Sequence, residues 1–290
     1  MRHLQTLTFM LLLSTATAGM AQNDPCWTDD AVMKRNPNPS RDHQLQPWPA
    51  HHIIGDIFYV GTRNLGSFLI TTGDGHILIN PNDPETLPLV RASVEKLGYE
   101  WTDVAIILGS HAHADHMSAT AQAKHQTGAR VVVMRQDMPL LEAMEVPGNA
   151  AAVDRVIEHG DSVSLGGVTL RAHLTPGHTP GTTTWTTTVD HDGETLHVVF
   201  LGGATATPRM DVTDPEIQRQ FHQAFVELRS LQCDVPLAPH APIHQMEQKF
   251  ARLDSAPSNP FIDPESCRAE LALSERGFYL LLGKQLGTLD

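Results

Sequence analysis

Six consecutive residues, 111–116, combine three imidazoles and one carboxylate in the order His-Ala-His-Ala-Asp-His. Histidines two apart at the end of a strand project to the same side, and an Asp-His step that turns into a helix can present two more ligands across a short gap. Such a set can load two metal ions, and ions roughly 3.5 to 4 Å apart form a hydrolytic centre. Chance clustering is the alternative, since the chain has 17 histidines, but the fixed spacing after an apolar strand favours the metal site.

A short apolar run lies immediately upstream of this motif. Residues Val104 to Leu108 are all apolar, and Gly109 and Ser110 follow them. The pattern predicts a buried strand whose carboxyl end opens into the motif. A helix is predicted next over Ser118–His125, with Gly128 closing the turn.

Two further histidines stand at predicted strand ends. His178 lies in the glycine-flanked loop Pro176–Gly181, and His240 lies in the proline-flanked segment Ala238–Pro242. Glycine on either side of a histidine lets the backbone and imidazole approach an ion closely. Taken alone, each is more simply an ordinary loop histidine. Together with the motif they complete six ligands, which two zinc ions need if each keeps an open position for water or substrate.

The first 21 residues are typical of a secretion signal. Arg2 and His3 give a basic start, Phe9–Leu13 is an apolar centre, and small residues lead to a cleavage site after Ala21, with Ala18 as the close alternative. The apolar run is too short to span a bilayer. We therefore expect an exported protein with no membrane association after cleavage, periplasmic in a Gram-negative source.

The rest of the chain predicts an extended arm over residues 22–50, with at most one short helix, and a single domain over 51–290. The formal net charge of −13 disfavours binding to a phosphate backbone, so a nucleic-acid partner is not expected. We separately expect a monomer that acts on a small-molecule substrate. Strands followed by helices, twice, imply an α/β fold with a sheet-on-sheet core and helices outside. Strands are predicted over His52–Val60, Ser67–Thr72, Gly75–Asn80, Ala129–Met134, Ser162–Leu165, Val168–Leu174, Thr182–Val189, Thr195–Leu201 and Val235–Ala238, and helices over Glu85–Leu97, Asp214–Leu231 and Pro264–Leu286.

These motifs resemble those of the metallo-β-lactamase superfamily, and the chain is most similar to the third subclass of class B β-lactamases. The resemblance runs from about His51 to Leu286 and rests on residues 111–116 together with the loop Pro176–Gly181. It implies a four-layer αββα sandwich with the site in a groove between the two halves. It also implies two zinc ions per chain, the first held by His111, His113 and His178 and the second by Asp115, His116 and His240.

The implied activity is that of a β-lactamase that confers antibiotic resistance by hydrolysing the β-lactam amide. A hydroxide shared by the two ions would be the nucleophile, and Asp115 would orient it. The resemblance further implies a disulfide between Cys233 and Cys267, and Cys26 is left without a partner. His244, four residues after His240, is the first alternative ligand.

Two positions depart from the subclass pattern. Gly203 stands where a serine is usual, and Asn80 stands where an aspartate is usual. Both changes are expected to weaken the second zinc site, because groups that orient metal ligands set metal affinity. The competing functions are a lactonase or another dizinc hydrolase of this fold, and a non-catalytic periplasmic zinc-binding protein. Thioester and phosphodiester hydrolysis are less favoured, because the strand that ends at Phe200 carries no additional aspartate.

Overall fold

The computed structural model describes residues 40–289, and the predicted signal peptide, most of the predicted arm and Cys26 lie outside the described residues. Within the described part the chain forms two β-sheets packed face to face, with helices on both outer surfaces. The predicted αββα sandwich is therefore confirmed. None of the helices between residues 40 and 289 is long and apolar enough to cross a membrane.

The first sheet has seven strands in chain order, β1 to β7. Pairing is antiparallel from β1 to β4 and parallel from β4 to β7, so β4, β5 and β6 end at the same edge of the sheet. The strands are β1 His51–Ile54, β2 Ile57–Tyr59, β3 Phe68–Thr72, β4 Gly75–Ile79, β5 Val104–Leu108, β6 Arg130–Met134 and β7 Val153–Ile157.

The second sheet has five strands in the order β12-β11-β10-β9-β8. Neighbours are antiparallel except β11 and β12, which run parallel. The strands are β8 Ser162–Leu165, β9 Val168–Leu174, β10 Thr183–His191, β11 Glu194–Phe200 and β12 Val235–Leu237.

Eight α-helices in the described residues complete the layers. Asp214 caps one of the longest by accepting the N–H of Glu216, and Asp263 caps the last by accepting that of Ser266. The helices are α1 Arg41–Gln44, α2 Leu87–Lys96, α3 Ala114–Met117, α4 Thr120–Thr127, α5 Met138–Ala143, α6 Pro215–Ser230, α7 Met246–Phe250 and α8 Pro264–Gln285.

Burial on both faces explains why β5 is apolar throughout. Ile106 and Leu108 face the second sheet, where they share a core with Trp185. Val104 and Ile107 face the opposite side and pack in the cluster beneath α2 and α4. A strand covered on both faces needs no polar alternation, so β5 places its carboxyl end, and the motif that follows, at a rigid edge.

Some boundaries differ from the predictions. The strand predicted over His52–Val60 is wrong as a single element, because a turn at Gly55 (φ +53°) folds it into the β1–β2 hairpin. The helix predicted over Ser118–His125 is instead the pair α3 and α4, and Gly128 ends α4 in a left-handed conformation as expected. Strand β7 and helices α5 and α7 were not predicted.

Two links tie the ends of the described chain to the sandwich. The Cys233–Cys267 disulfide, which the resemblance implied, joins the segment before β12 to α8. Arg41, in the short helix of the predicted arm, pairs with Asp83 and Glu85. The Arg41 link reaches the motif, because Asn82, next to Asp83, donates its N–H to the carbonyl of His116 at 3.0 Å.

Candidate metal centre

The six predicted ligands meet in two groups of three at one edge of the sandwich. His111 and His113 follow β5, and His113 caps α3, which carries Asp115 and His116 in a single turn. In each group the candidate ligand atoms all lie within 4.8 Å of one another. The groups are His111, His113 and His178, and Asp115, His116 and His240.

The first group is a triangle of imidazoles seen edge to face. The ring centroids of His111, His113 and His178 lie 4.6 to 4.8 Å apart. The Nδ1 atoms of His111 and His178 donate to the carbonyls of Gly202 and Thr205, both at 2.7 Å. A carbonyl can only accept, so these bonds place the ring proton on Nδ1 and leave the Nε2 lone pair available to a metal. The His111 Nε2 atom is buried and has no hydrogen-bond partner among the described residues, which fits a ligand role.

The second group adds a carboxylate. His240 Nε2 lies 3.2 Å from His116 Nε2 and 3.6 Å from Asp115 Oδ2. The other nitrogen of His240, Nδ1, is bonded to Asn64 Oδ1 at 3.1 Å, so its ring is also oriented by its outer edge. Two imidazole nitrogens converging beside a carboxylate oxygen match the donors that zinc takes in three-ligand sites.

Burial favours the neutral form of four of the imidazoles. It lowers the pKa of His116 to about 3 and that of His178 to about 4, and it holds the pKa values of His111 and His240 below their usual range. For Asp115, burial by itself raises the pKa, but the neighbouring imidazoles outweigh it and the net shift is downwards. At neutral pH these four imidazoles are therefore neutral and the Asp115 carboxylate is ionised, which is the protonation state in which these groups bind metals.

The glycines beside His178 serve packing. A Cβ on Gly177 would meet the ring of Phe221 at 2.8 Å, and one on Gly181 would meet backbone and side-chain atoms of Asp137 at 2.3 to 2.6 Å. Both are needed because other groups press against the loop. The close approach to an ion, which the sequence suggested as the reason for these glycines, stays a prediction.

Asn80 connects the two ligand groups through the backbone. Its Oδ1 accepts the N–H of Ser110, next to His111, at 2.9 Å, and its Nδ2 donates to the carbonyl of Gly66 at 3.3 Å. Gly66 in turn donates its N–H to the carbonyl of the residue before His240 at 2.7 Å. Asn80 lacks the charge of the usual aspartate, yet its neutral amide stiffens both segments, and an aspartate could not donate to Gly66.

Gly203 lies directly beside the first group. A Cβ here would lie 3.2 Å from His178 Cδ2 and 3.6 Å from His111 Nδ1, and the residue has φ +138°. A side chain at this position would therefore contact the first group, and its effect on the second zinc stays a prediction.

The remaining candidate histidines lie elsewhere. His173 is bonded through both ring nitrogens, to Glu227 at 2.8 Å and to Thr186 at 2.9 Å. His244 is buried near the rings of Tyr59 and Phe68, outside both groups. His244, the alternative sixth ligand, therefore lies outside the candidate metal centre.

Sequence reasoning missed the groups that hold the ligands. Asn64, Asp137 and the carbonyls of Gly202 and Thr205 all contact ligands or ligand loops. Asp137 offered a signal, since it stands just beyond β6, whose carboxyl end shares the edge with that of β5. The carbonyls of Gly202 and Thr205 gave no signal in the sequence.

Comparison with known proteins identifies a family that agrees with the fold and the ligand groups. A family model for the metallo-β-lactamase superfamily matches residues 66–242. The FEZ-1 metallo-β-lactamase from Legionella gormanii is 35% identical with a TM-score of 0.78, and the match covers 83% of this chain and 97% of that enzyme. BJP-1, a subclass B3 metallo-β-lactamase of Bradyrhizobium japonicum, is 32% identical with a TM-score of 0.79, over 87% of this chain and 100% of that enzyme.

The relatives found by sequence comparison include proteins named hydroxyacylglutathione hydrolase. A hydroxyacylglutathione hydrolase of Rhizobium meliloti (strain 1021) is 32% identical over 126 residues, which is 43% of this chain. The chain spans 44% of the length of that relative.

Proposed function

This chain belongs to the metallo-β-lactamase superfamily, and from that membership we propose that it is a zinc-dependent β-lactamase of the third subclass. The extent of the structural match carries the proposal: the likeness to FEZ-1 and BJP-1 extends over 97% and 100% of those enzymes. The match to the hydroxyacylglutathione hydrolase is a sequence match that covers 44% of that protein. The proposed substrates are penicillins, cephalosporins or carbapenems.

The two ligand groups fit zinc in donor type and number. His111, His113 and His178 would hold one ion, and Asp115, His116 and His240 would hold the other. When bound, zinc lowers the pKa of water to about 7 and polarises a carbonyl, which is the chemistry that amide hydrolysis needs.

The chain's own residues prepare this chemistry. Asp115 is ionised at neutral pH and stands within 3.6 Å of two imidazole nitrogens, so its carboxylate can accept a hydrogen bond from the attacking water and orient it. The carbonyls of Gly202 and Thr205 fix the rings of His111 and His178 by their outer nitrogens. Geometry held this firmly needs little reorganisation during the reaction.

Thioester hydrolysis is the second candidate, because the curated relatives bear that activity in their name. That chemistry was expected to require an additional aspartate on the strand that ends at Phe200. This strand, Glu194–Phe200, contains no aspartate, and the two ligand groups share no carboxylate. Lactone hydrolysis and zinc storage also compete with the proposed activity, and the same experiment tests them.

A single set of assays separates these functions. Zinc-loaded protein is offered a chromogenic cephalosporin, an acylglutathione thioester and a lactone, each with and without a chelator. We expect cephalosporin turnover that the chelator abolishes and added zinc restores. Turnover of the thioester or lactone without β-lactam hydrolysis would reject the proposal in favour of that activity. Zinc binding without any turnover would favour the storage protein.

Export is a separate proposal that rests on residues 1–21. We expect the mature protein in the periplasmic fraction of a Gram-negative host, with its N-terminus at Gln22, and we expect it to raise the host's resistance to β-lactams. Retention of residues 1–21 in a cytoplasmic protein would contradict the proposed location.

A further inference from the structure

Asp137 joins the two chain segments that supply the first ligand group. It lies just after β6, is 1% exposed, and accepts three hydrogen bonds. Oδ2 accepts the N–H of Ala112 at 2.7 Å and the hydroxyl of Thr179 at 3.0 Å, and Oδ1 accepts the N–H of Gly181 at 2.7 Å. Ala112 stands between His111 and His113, and Thr179 directly follows His178. The Asp137 carboxylate thus binds residues that lie next to all three ligands of the group.

The His178 loop is shaped around this carboxylate. Any side chain at Gly181 would overlap Asp137, with a Cβ only 2.6 Å from its Cβ and Cγ atoms. The Thr179 hydroxyl that donates to Asp137 also lies 2.8 Å from the hydroxyl of Thr182, which accepts the N–H of Thr179 at 2.9 Å. The contact with Asp137 is therefore part of the packing of the loop itself.

The charge of Asp137 also indicates a cation near the first ligand group. A buried carboxylate is stable only when hydrogen bonds or an opposite charge compensate its loss of hydration. Asp137 has three donors, but no lysine or arginine in residues 40–289 forms an ion pair with it. The three nearby ligands are imidazoles and bring no negative charge of their own. A dication held by those imidazoles would be the missing counter-charge.

We propose that Asp137 is a positioning residue for the first metal ion, which holds the His111–His113 segment and the His178 loop at ligand spacing and supplies the negative charge that the ligands lack. This inference rests on the metal centre of the proposed function and not on its substrate. It predicts an effect confined to one of the two ligand groups.

The test uses Asp137→Asn in two backgrounds. His240→Ala leaves the first group complete, and His178→Ala leaves the second group complete. Cobalt(II) is titrated into each protein and followed by its visible absorption, and zinc affinity is measured by competition with a chromophoric chelator. Asp137→Asn should weaken metal binding 10- to 100-fold in the His240→Ala background and leave it unchanged in the His178→Ala background.

The controls distinguish positioning from general damage. Asp154→Asn also removes a carboxylate that accepts a backbone N–H, that of Val131, but touches no ligand segment, and it should leave both affinities unchanged. Thr179→Ser keeps the hydroxyl and should bind metal normally, whereas Thr179→Val should weaken the first group and provides the test if Asp137→Asn does not fold.

Unchanged affinity of the first group in Asp137→Asn or Thr179→Val would overturn the inference. An equal loss in both backgrounds would overturn it too, because a merely structural defect has no preference between the groups. Failure of the unaltered protein to bind cobalt or zinc would instead reject the metal centre of the proposed function.

Discussion

Adding a side chain at Gly203 should damage the first ligand group, although relatives of the third subclass usually have a serine there. The sequence alone suggested that Gly203→Ser would tighten metal binding by restoring a hydroxyl. The backbone favours the opposite outcome, because φ is +138° and a Cβ would lie 3.2 Å from Cδ2 and 3.4 Å from Cγ of His178. Only glycine adopts such a φ without strain.

The size of the effect follows from two contributions. Holding a non-glycine residue in this region of backbone space costs about 1 to 3 kcal/mol. The contact with His178 requires a shift of a few tenths of an ångström, and the hydrogen bond from its Nδ1 to Thr205 at 2.7 Å resists that shift. If about 2 kcal/mol of this strain is lost from the free energy of metal binding, the metal affinity of the first group falls roughly 30-fold.

Two other glycines separate these contributions. Gly167 has φ +88° with nothing within 4 Å of a Cβ, so Gly167→Ala reports backbone strain alone. Gly73 has neither a positive φ nor a neighbour within 4 Å, so Gly73→Ala should be neutral. Urea unfolding and zinc competition are measured for each beside Gly203→Ala and Gly203→Ser. A serine variant that unfolds like the parent and binds zinc more tightly would refute the reasoning.

Three further predictions concern the ligands, the core and the disulfide. His178→Ala and His240→Ala should each retain one tightly bound zinc and lose most activity, with KM raised more in the second; metal analysis showing two zinc ions and near-normal turnover in His240→Ala would make that residue a bystander. Burial lowers the pKa of His51 to about 4, so the unfolded state binds more protons and the stability is present above pH 6.5 and lost as the pH falls towards 4. At pH 4 the loss is about 3 kcal/mol, which His51→Phe should remove; parallel pH profiles of urea unfolding for the two proteins would contradict this. Replacing Cys233 and Cys267 by serine should lower the free energy of unfolding by roughly 3 to 4 kcal/mol in the chain-entropy account, and an unchanged urea midpoint would argue against it.

The main elements of the fold were predictable because they carry strong patterns. The continuous apolar run of β5 signals a strand buried on both faces, and Gly128 marks a helix end by a conformation that glycine favours. Strand β7 lacks such a signal, since of its five residues only Ile157 is fully buried. The β1–β2 hairpin resembles a single strand in the sequence because apolar residues continue on both sides of the turn at Gly55.

The ligands could be found in the sequence, but the residues that orient them could not. His178 and His240 stand in short glycine- or proline-flanked segments at strand ends, where spacing draws attention to them. Asn64 lies 176 positions from the histidine it contacts, and Asp137 acts mainly on backbone N–H groups. A backbone donor has no sequence signature, so only the folded arrangement identifies such partners.

The supporting residues differ in charge in a way that matches the ligands they hold. The second group contains its own carboxylate, Asp115, and is braced by the neutral amide of Asn64, while Asn80 contacts the backbone of both groups. The first group consists of imidazoles alone and is braced by the carboxylate of Asp137. Each group therefore has one aspartate whose negative charge can balance that of a dication. In the second group this aspartate is a ligand, and in the first group it lies behind the ligands. Asn80 adds no charge to either group, and the expectation that an aspartate at this position would tighten metal binding stays a prediction that Asn80→Asp would test.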